Sequence, residues 1–163
     1  MKKISLPIAA AAMAVLFSIT PAAAGKDNDT LVFATKTDLE NLDAYYNNAR
    51  VGIILARHIW DNLLYRDPED FSYKPALATS YEWIDDLTLE FKLREGVTFH
   101  NGASFSADDV VYTLNFVSSP DSKVVSRRNV DWIKNVEKID DYTVRINLSK
   151  PFPAALDFVA GPL

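Results

Sequence analysis

The stretch from Thr88 to Leu114 constrains the fold more than any other part of the chain, because it must run, reverse and run again within a few residues. Thr88–Leu93 alternates Leu89, Phe91 and Leu93 with Thr88, Glu90 and Lys92, the period of a half-buried strand. Glu95-Gly96 ends it, and Asn101-Gly102 is a turn dipeptide, because both residues tolerate positive φ. Ser106 then stands where a helix N-cap belongs, with Asp108 and Asp109 in the first turn facing the positive end of the helix dipole. Val110, Val111, Leu114 and Val117 recur on one helical face. The unit is strand, glycine turn and capped amphipathic helix, and none of its side chains carries obvious chemistry.

The same alternation recurs downstream. Tyr81–Ile84 and Thr88–Leu93 flank Asp85-Asp86-Leu87, and Trp132–Ile139 and Thr143–Leu148 flank Asp140-Asp141-Tyr142, which predicts two hairpins. Thr30–Thr35 reads as a short, largely buried strand, Asn48–Leu64 as a helix, and Pro151–Ala160 as a further helix with Pro153 in its first turn. The apolar face of the Asn48–Leu64 helix comprises Val51, Ile54, Leu55, His58, Ile59 and Leu63. Trp60, Trp83 and Trp132 are expected to pack in the core or the hairpins, with Trp83 buried. The fold class is α+β, a mixed sheet with β-hairpins and flanking helices.

Lys2-Lys3, an apolar run from Ile4 to Ile19 and Ala22-Ala23-Ala24 before Gly25 form a secretory leader with cleavage expected after Ala24. The run is short for a stable membrane anchor, and no cysteine follows it to carry lipid. A free periplasmic protein is expected. The absence of cysteine also removes disulfides, thiolate metal sites and cysteine nucleophiles. The 17 basic and 22 acidic residues give a net charge of −5, and loss of Lys2 and Lys3 with the leader makes it −7. Such a surface disfavours nucleic acid and anionic lipid.

Catalytic patterns are missing from the sequence: no nucleophile elbow, no zinc-protease helix and no phosphate-binding glycine loop. His58 falls on the apolar face of its predicted helix, as a satisfied structural residue or as a ligand. His100, before Asn101-Gly102, caps turn backbone groups or acts as a ligand. The acid pairs Asp85-Asp86, Asp108-Asp109 and Asp140-Asp141 suit turns and a helix start. Acid–base work needs carboxylates held across a cleft with separated pKa values.

The run Leu93-Arg94-Glu95-Gly96-Val97-Thr98-Phe99-His100-Asn101-Gly102, continued by Phe105-Ser106-Ala107-Asp108-Asp109-Val110-Val111, resembles the signature of bacterial extracellular solute-binding proteins of family 5. Leu64-Tyr65-Arg66-Asp67, Lys74-Pro75-Ala76-Leu77-Ala78 and Ser80-Tyr81-Glu82-Trp83 are similar to further family segments. At Leu42-Asp43-Ala44 an alanine replaces the family's usual proline. The resemblance covers about Leu31 to Ala160.

It implies the N-terminal part of a longer, two-lobed periplasmic binding protein of type II-like architecture. Residues 1–24 would be the signal peptide, 25–46 the start of the large N-terminal lobe, and 47–163 the small subdomain inserted into that lobe. The rest of that lobe and the second lobe would lie outside this chain. It implies a receptor for an oligopeptide or related small solute that delivers to the permease of an ABC importer. Such a receptor is a monomer without cofactor or metal, and it catalyses no reaction. The segment after the first strand, Thr37, Asp38, Leu39 and Glu40, would approach the ligand or remain a solvated loop. Tyr45, Tyr46 and Asn47 would stack on or bond the ligand. Arg127 would grip a carboxylate or belong to a solvated basic patch with Arg128. A periplasmic ligand-sensing module, or a secreted hydrolase with its site elsewhere, are the alternative readings.

Overall fold

Alternation over Thr88–Leu93 and Thr143–Leu148 lets two strands pair side by side with a shared apolar face, and the rest of the fold is laid over that face. The computed structural model describes residues 29, 32, 34–36, 38–39 and 41–161, and the leader lies outside them. The elements, in order, are α1 (Arg50–Ala56), β1 (Leu64–Arg66), β2 (Tyr73–Pro75), β3 (Ala78–Asp85), β4 (Thr88–Leu93), α2 (Ala107–Ser118), β5 (Ile133–Asp140), β6 (Thr143–Leu148) and α3 (Ala155–Val159). The chain divides into two units, Met1–Thr35 and Lys36–Leu163. In the first unit the predicted strand over 30–35 is partly outside the described residues. Its described members belong to no strand, and Val32 is 63% exposed.

The α+β class is as expected. The main sheet runs β3-β4-β6-β5, with β1-β2 as a separate two-stranded ribbon. Every pairing of these strands is antiparallel, where the sequence pointed to a mixed sheet. The register sets Phe91 opposite Val144 and Leu89 opposite Ile146, and all four are fully buried on the inner face. Glu90, Lys92 and Arg145 alternate onto the outer face, where Arg145 Nε donates to Glu90 Oε2 at 2.8 Å and Lys92 Nζ lies 3.3 Å from Oε1. Each hairpin turn is closed by its first aspartate, Asp85 accepting from Leu87 N at 2.7 Å and Asp140 from Tyr142 N at 2.8 Å. That local bond is why aspartate leads both turns.

α2 packs on β5 and β6 through Val110, Leu114 and Val117. Its start is a capping box: Ser106 Oγ accepts from Asp108 N at 3.3 Å, and Asp109 Oδ2 accepts from Ser106 N at 2.8 Å. Lys138 ties Asp108 to the β5–β6 turn through Asp141, both at 2.8 Å. Asn115 turns to the outer margin of β5. It accepts from Val136 N at 2.8 Å and donates to Val136 O at 2.9 Å. Upstream, Gly102 takes φ +86° and Gly96 +74°, the left-handed region expected of the turn.

Three expectations are corrected. The helix predicted over 48–64 is confined to Arg50–Ala56, and Leu64 enters β1 instead. Leu77 N and Ala78 N bond to Asn62 O and Leu63 O at 3.0 and 2.8 Å, so tertiary strand pairing takes over residues that helical spacing alone would claim. Trp132 is fully buried, but Trp83 is 38% exposed and Trp60 54%. Trp83 pairs with Leu89 on the inner face, but on the β3 margin, whereas α2 covers β5 and β6. The third helix is the short α3, which starts two residues after Pro153 and seats Phe158 on Phe152, itself stacked on Trp132 at 5.5 Å. Asp157 of α3 pairs with Arg66 and accepts from the Tyr73 hydroxyl at 2.8 Å, fastening α3 to the β1–β2 ribbon.

Candidate functional site

The second unit carries a largely apolar groove of about 470 Å³. Its floor is the core-facing side of α2, with Val110 and Leu114. One wall is the loop Asn41–Asn48 and the turn after α1 with Trp60. The opposite wall is the segment after α2, with Val124, Val125 and Ser126. Neither wall is regular structure, so each must satisfy its backbone groups by other means.

The first wall is a loop closed by its own side chains. Asp43 Oδ1 accepts from Tyr45 N at 2.9 Å and Tyr46 N at 3.3 Å, and Asn41 Oδ1 accepts from Asp43 N at 3.1 Å. Trp60 Nε1 donates to Leu42 O at 3.2 Å, which stands the exposed indole upright at the groove edge. The walls meet where Val125 N donates to Tyr45 O at 3.0 Å. Tyr45 is half-buried in the lining. Burial, and secondarily the Asp43 carboxylate, push its phenol up to about 12, so it remains a neutral hydrogen-bond donor throughout the physiological range.

The second wall is held by Arg127. Its guanidinium donates to Ser118 O at 2.7 Å and Val117 O at 3.4 Å at the C-terminus of α2, and to Ser119 O at 2.5 Å, which also accepts from Ser122 N at 3.1 Å. Arg127 thus caps the end of α2, while Arg128 beside it is exposed.

Of the other expected contact residues, Thr37 and Glu40 lie outside the described residues. Asp38 and Leu39 are exposed, Tyr45 lines the groove, and Tyr46 packs against the core. Ile53, Trp60, Phe99 and Val125 also line the groove, and sequence reasoning missed them. Their only signal is that each is a large apolar residue left substantially exposed, Val125 at 50%, and that is a property of the fold.

Neither histidine lines the groove. His58 is exposed and not on an apolar face. Its Nδ1 lies 2.7 Å from Ile54 O, which can only accept, so that nitrogen carries the proton. His100 Nε2 meets Ile59 O at 3.1 Å and links the glycine turn to the segment after α1. Among the described residues, no group of three or more histidine and acidic side chains is placed to hold a metal. An apolar trough with the Tyr45 phenol in its lining has the character of a small-molecule binding surface.

Residues 72–163 match the family described as bacterial extracellular solute-binding proteins, family 5 (middle part), and the chain belongs to that family. The glutathione-binding protein GsiB of Salmonella typhimurium is 33% identical over 156 residues, which are 95% of this chain and 30% of the relative. Among solved structures, NikZ from Campylobacter jejuni in complex with Ni(L-His) is 30% identical with a TM-score of 0.65, over 76% of this chain and 25% of that one. The oligopeptide-binding protein AppA from Bacillus subtilis, in complex with a nonapeptide, is 31% identical with a TM-score of 0.62, over 65% and 21%. The chain thus spans about 30% of the length of the curated relatives it matches.

Proposed function

We propose that this chain supplies one wall of the ligand cleft of a periplasmic solute receptor, which delivers an oligopeptide or related small solute to an ABC permease. The observation that carries the reading is the groove itself: exposed Trp60 and Val125 beside half-buried Tyr45, on two irregular walls joined by one backbone bond. A monomer would leave such a surface bare unless a second wall closed over it. In a two-lobed receptor, ligand stabilises the closed state because it touches both lobes there. The relatives' glutathione, Ni(L-His) and nonapeptide are all small polar solutes, which supports the class without selecting a member.

On this reading Asp38, Leu39, Tyr45 and Tyr46, with Thr37 and Glu40, form the chain's approach to the ligand, and Arg127 supports it from behind. The leader directs export, with cleavage after Ala24; N-terminal sequencing of periplasmic material that still begins at Lys2-Lys3 would count against it. The receptor role is tested by calorimetry on the intact protein that carries this segment, with glutathione and a mixed tri- to pentapeptide pool as probes. Binding is expected, and Tyr45→Ala and Val125→Asp should each weaken it about tenfold, the scale of one lost buried contact. Unchanged affinity in both variants would remove the groove from the site.

A further inference from the structure

Among the described residues, Asn47 is one of two buried polar side chains, and its surroundings are tighter than its chemistry alone requires. Its Nδ2 donates to Asn41 O at 2.6 Å, and its Oδ1 accepts from Ala49 N at 2.8 Å, one residue before α1 begins. Behind it lies the buried Gly52 of α1. A Cβ placed on Gly52 would overlap Asn47 Nδ2 and come within 2.9 Å of its Cγ. A flexible side-chain tip would normally swing away from such a clash. This one cannot, because both of its polar atoms are already bonded and a buried polar atom left unpaired carries its full desolvation penalty. Gly52 is therefore glycine for clearance, since α1 has ordinary helical geometry there.

We infer that Asn47 and Gly52 form a clasp that positions the Tyr45 wall of the groove, so that Asn47 is a positioning residue for ligand capture. The proposal rests on the groove being a ligand wall. Asn47 draws the start of the loop, Asn41, onto the N-terminus of α1. Residues 42–46 are then held as an arch whose two other pegs are Trp60 Nε1 on Leu42 O and Val125 N on Tyr45 O. Releasing the Asn41 peg frees the base of that arch, and both other pegs lose their fixed partner. The sheet and α2 take no part in these bonds, so the effect stays local.

Hydrogen exchange and ¹⁵N NMR on the full 163-residue chain test this without any ligand. In Asn47→Ala and in Gly52→Ala, the Val125 amide and the Trp60 indole N–H should exchange about tenfold faster, the factor for one lost hydrogen bond. The Trp60 indole resonance should shift toward that of a solvated indole. The double variant should be no worse than either single change, because both break the same clasp. Asn47→Asp keeps the acceptor for Ala49 N but loses the donor to Asn41 O. It should free Val125 and Trp60 while leaving Ala49 protected, and this variant introduces no cavity. Retained protection at Val125 in Asn47→Asp, or equal loss of protection in the sheet amides of β4 and β6, would overturn the proposal. Failure of the ligand reading looks different: the clasp variants behave as expected, while the intact protein shows no affinity for peptide or glutathione with or without them.

Discussion

The sheet with α2, and the groove walls beside it, are built by different rules. In the sheet, period-two alternation sends Leu89, Phe91, Val144 and Ile146 inward and Glu90, Lys92 and Arg145 outward, and the backbone satisfies itself in the ladder. Among the described residues, the walls have beside them only the short α1 and the single 3₁₀ turn Arg127–Asn129 as regular structure. The backbone is satisfied by side chains reaching across: Asn47 to Asn41, Trp60 to Leu42, Arg127 to the end of α2. The first region buries its large apolar residues and the second displays them. A scaffold of this kind is encoded by repetition, and its binding face by single residues that interrupt the repetition.

The contrast is broken most directly by substitution at its two extremes. Phe91→Ala empties a fully buried position in the middle of the four-stranded sheet and is expected to cost about 3–5 kcal/mol in urea unfolding. A loss under about 1 kcal/mol would mean the sheet is not the stable half of the molecule. Arg127→Ala removes the guanidinium from the Ser118 and Ser119 carbonyls at the end of α2 and should cost about 1–2 kcal/mol. Arg127→Lys should recover only part, because one ammonium cannot span three carbonyls as the planar fork does. If Arg127→Ala leaves stability unchanged but abolishes ligand binding in the intact protein, its role is contact and not support. Gly102→Val forces a branched residue to φ +86° and should cost about 1–2 kcal/mol by the same assay.

Glu90 gives a smaller, pH-dependent effect. The hydrogen bond from Arg145, and then that from Lys92, hold its carboxyl below the ordinary value, against the opposing pull of burial. A depressed carboxylate stabilises the fold fully above its unfolded value and loses that contribution as the pH falls through the folded one. The stability difference between the native chain and Glu90→Gln is therefore expected to stay below about 1 kcal/mol near neutrality and to shrink on acidification below pH ~4. A difference that grows on acidification has the wrong sign for this pair. Trp60→Ala should be smallest of all, within about 0.5 kcal/mol, because the indole is mostly in solvent.

How much of this was legible beforehand follows the same division. Both hairpins, the Ser106 cap, the Gly102 turn and the core face of α2 were readable, because each rests on spacing or on a residue type with one dominant backbone use. Family membership was readable from the same scaffold run. The extent of α1 was not, since Leu63 and Leu64 fit helical spacing and are claimed by pairing with residues more than ten positions away. Nor was the role of Arg127: nothing in Ser126-Arg127-Arg128-Asn129 tells which arginine folds back on α2. Trp60 and Val125 were invisible as site residues, because exposure of an apolar side chain is decided by what fails to cover it.

At the outer margin of β5, the Asn115 amide occupies both backbone groups of Val136, so a side chain blocks the middle of that strand edge. An unoccupied edge is a template on which a second chain can add. Because this stopper rides on α2, it is in place only once the helix has docked. If the β5–β6 hairpin forms first, the margin stays open for as long as docking takes, and neighbouring unfolded chains compete for it. The order in which hairpin and helix assemble, more than the depth of the final minimum, then sets how much of the polypeptide stays dispersed when it refolds at high concentration.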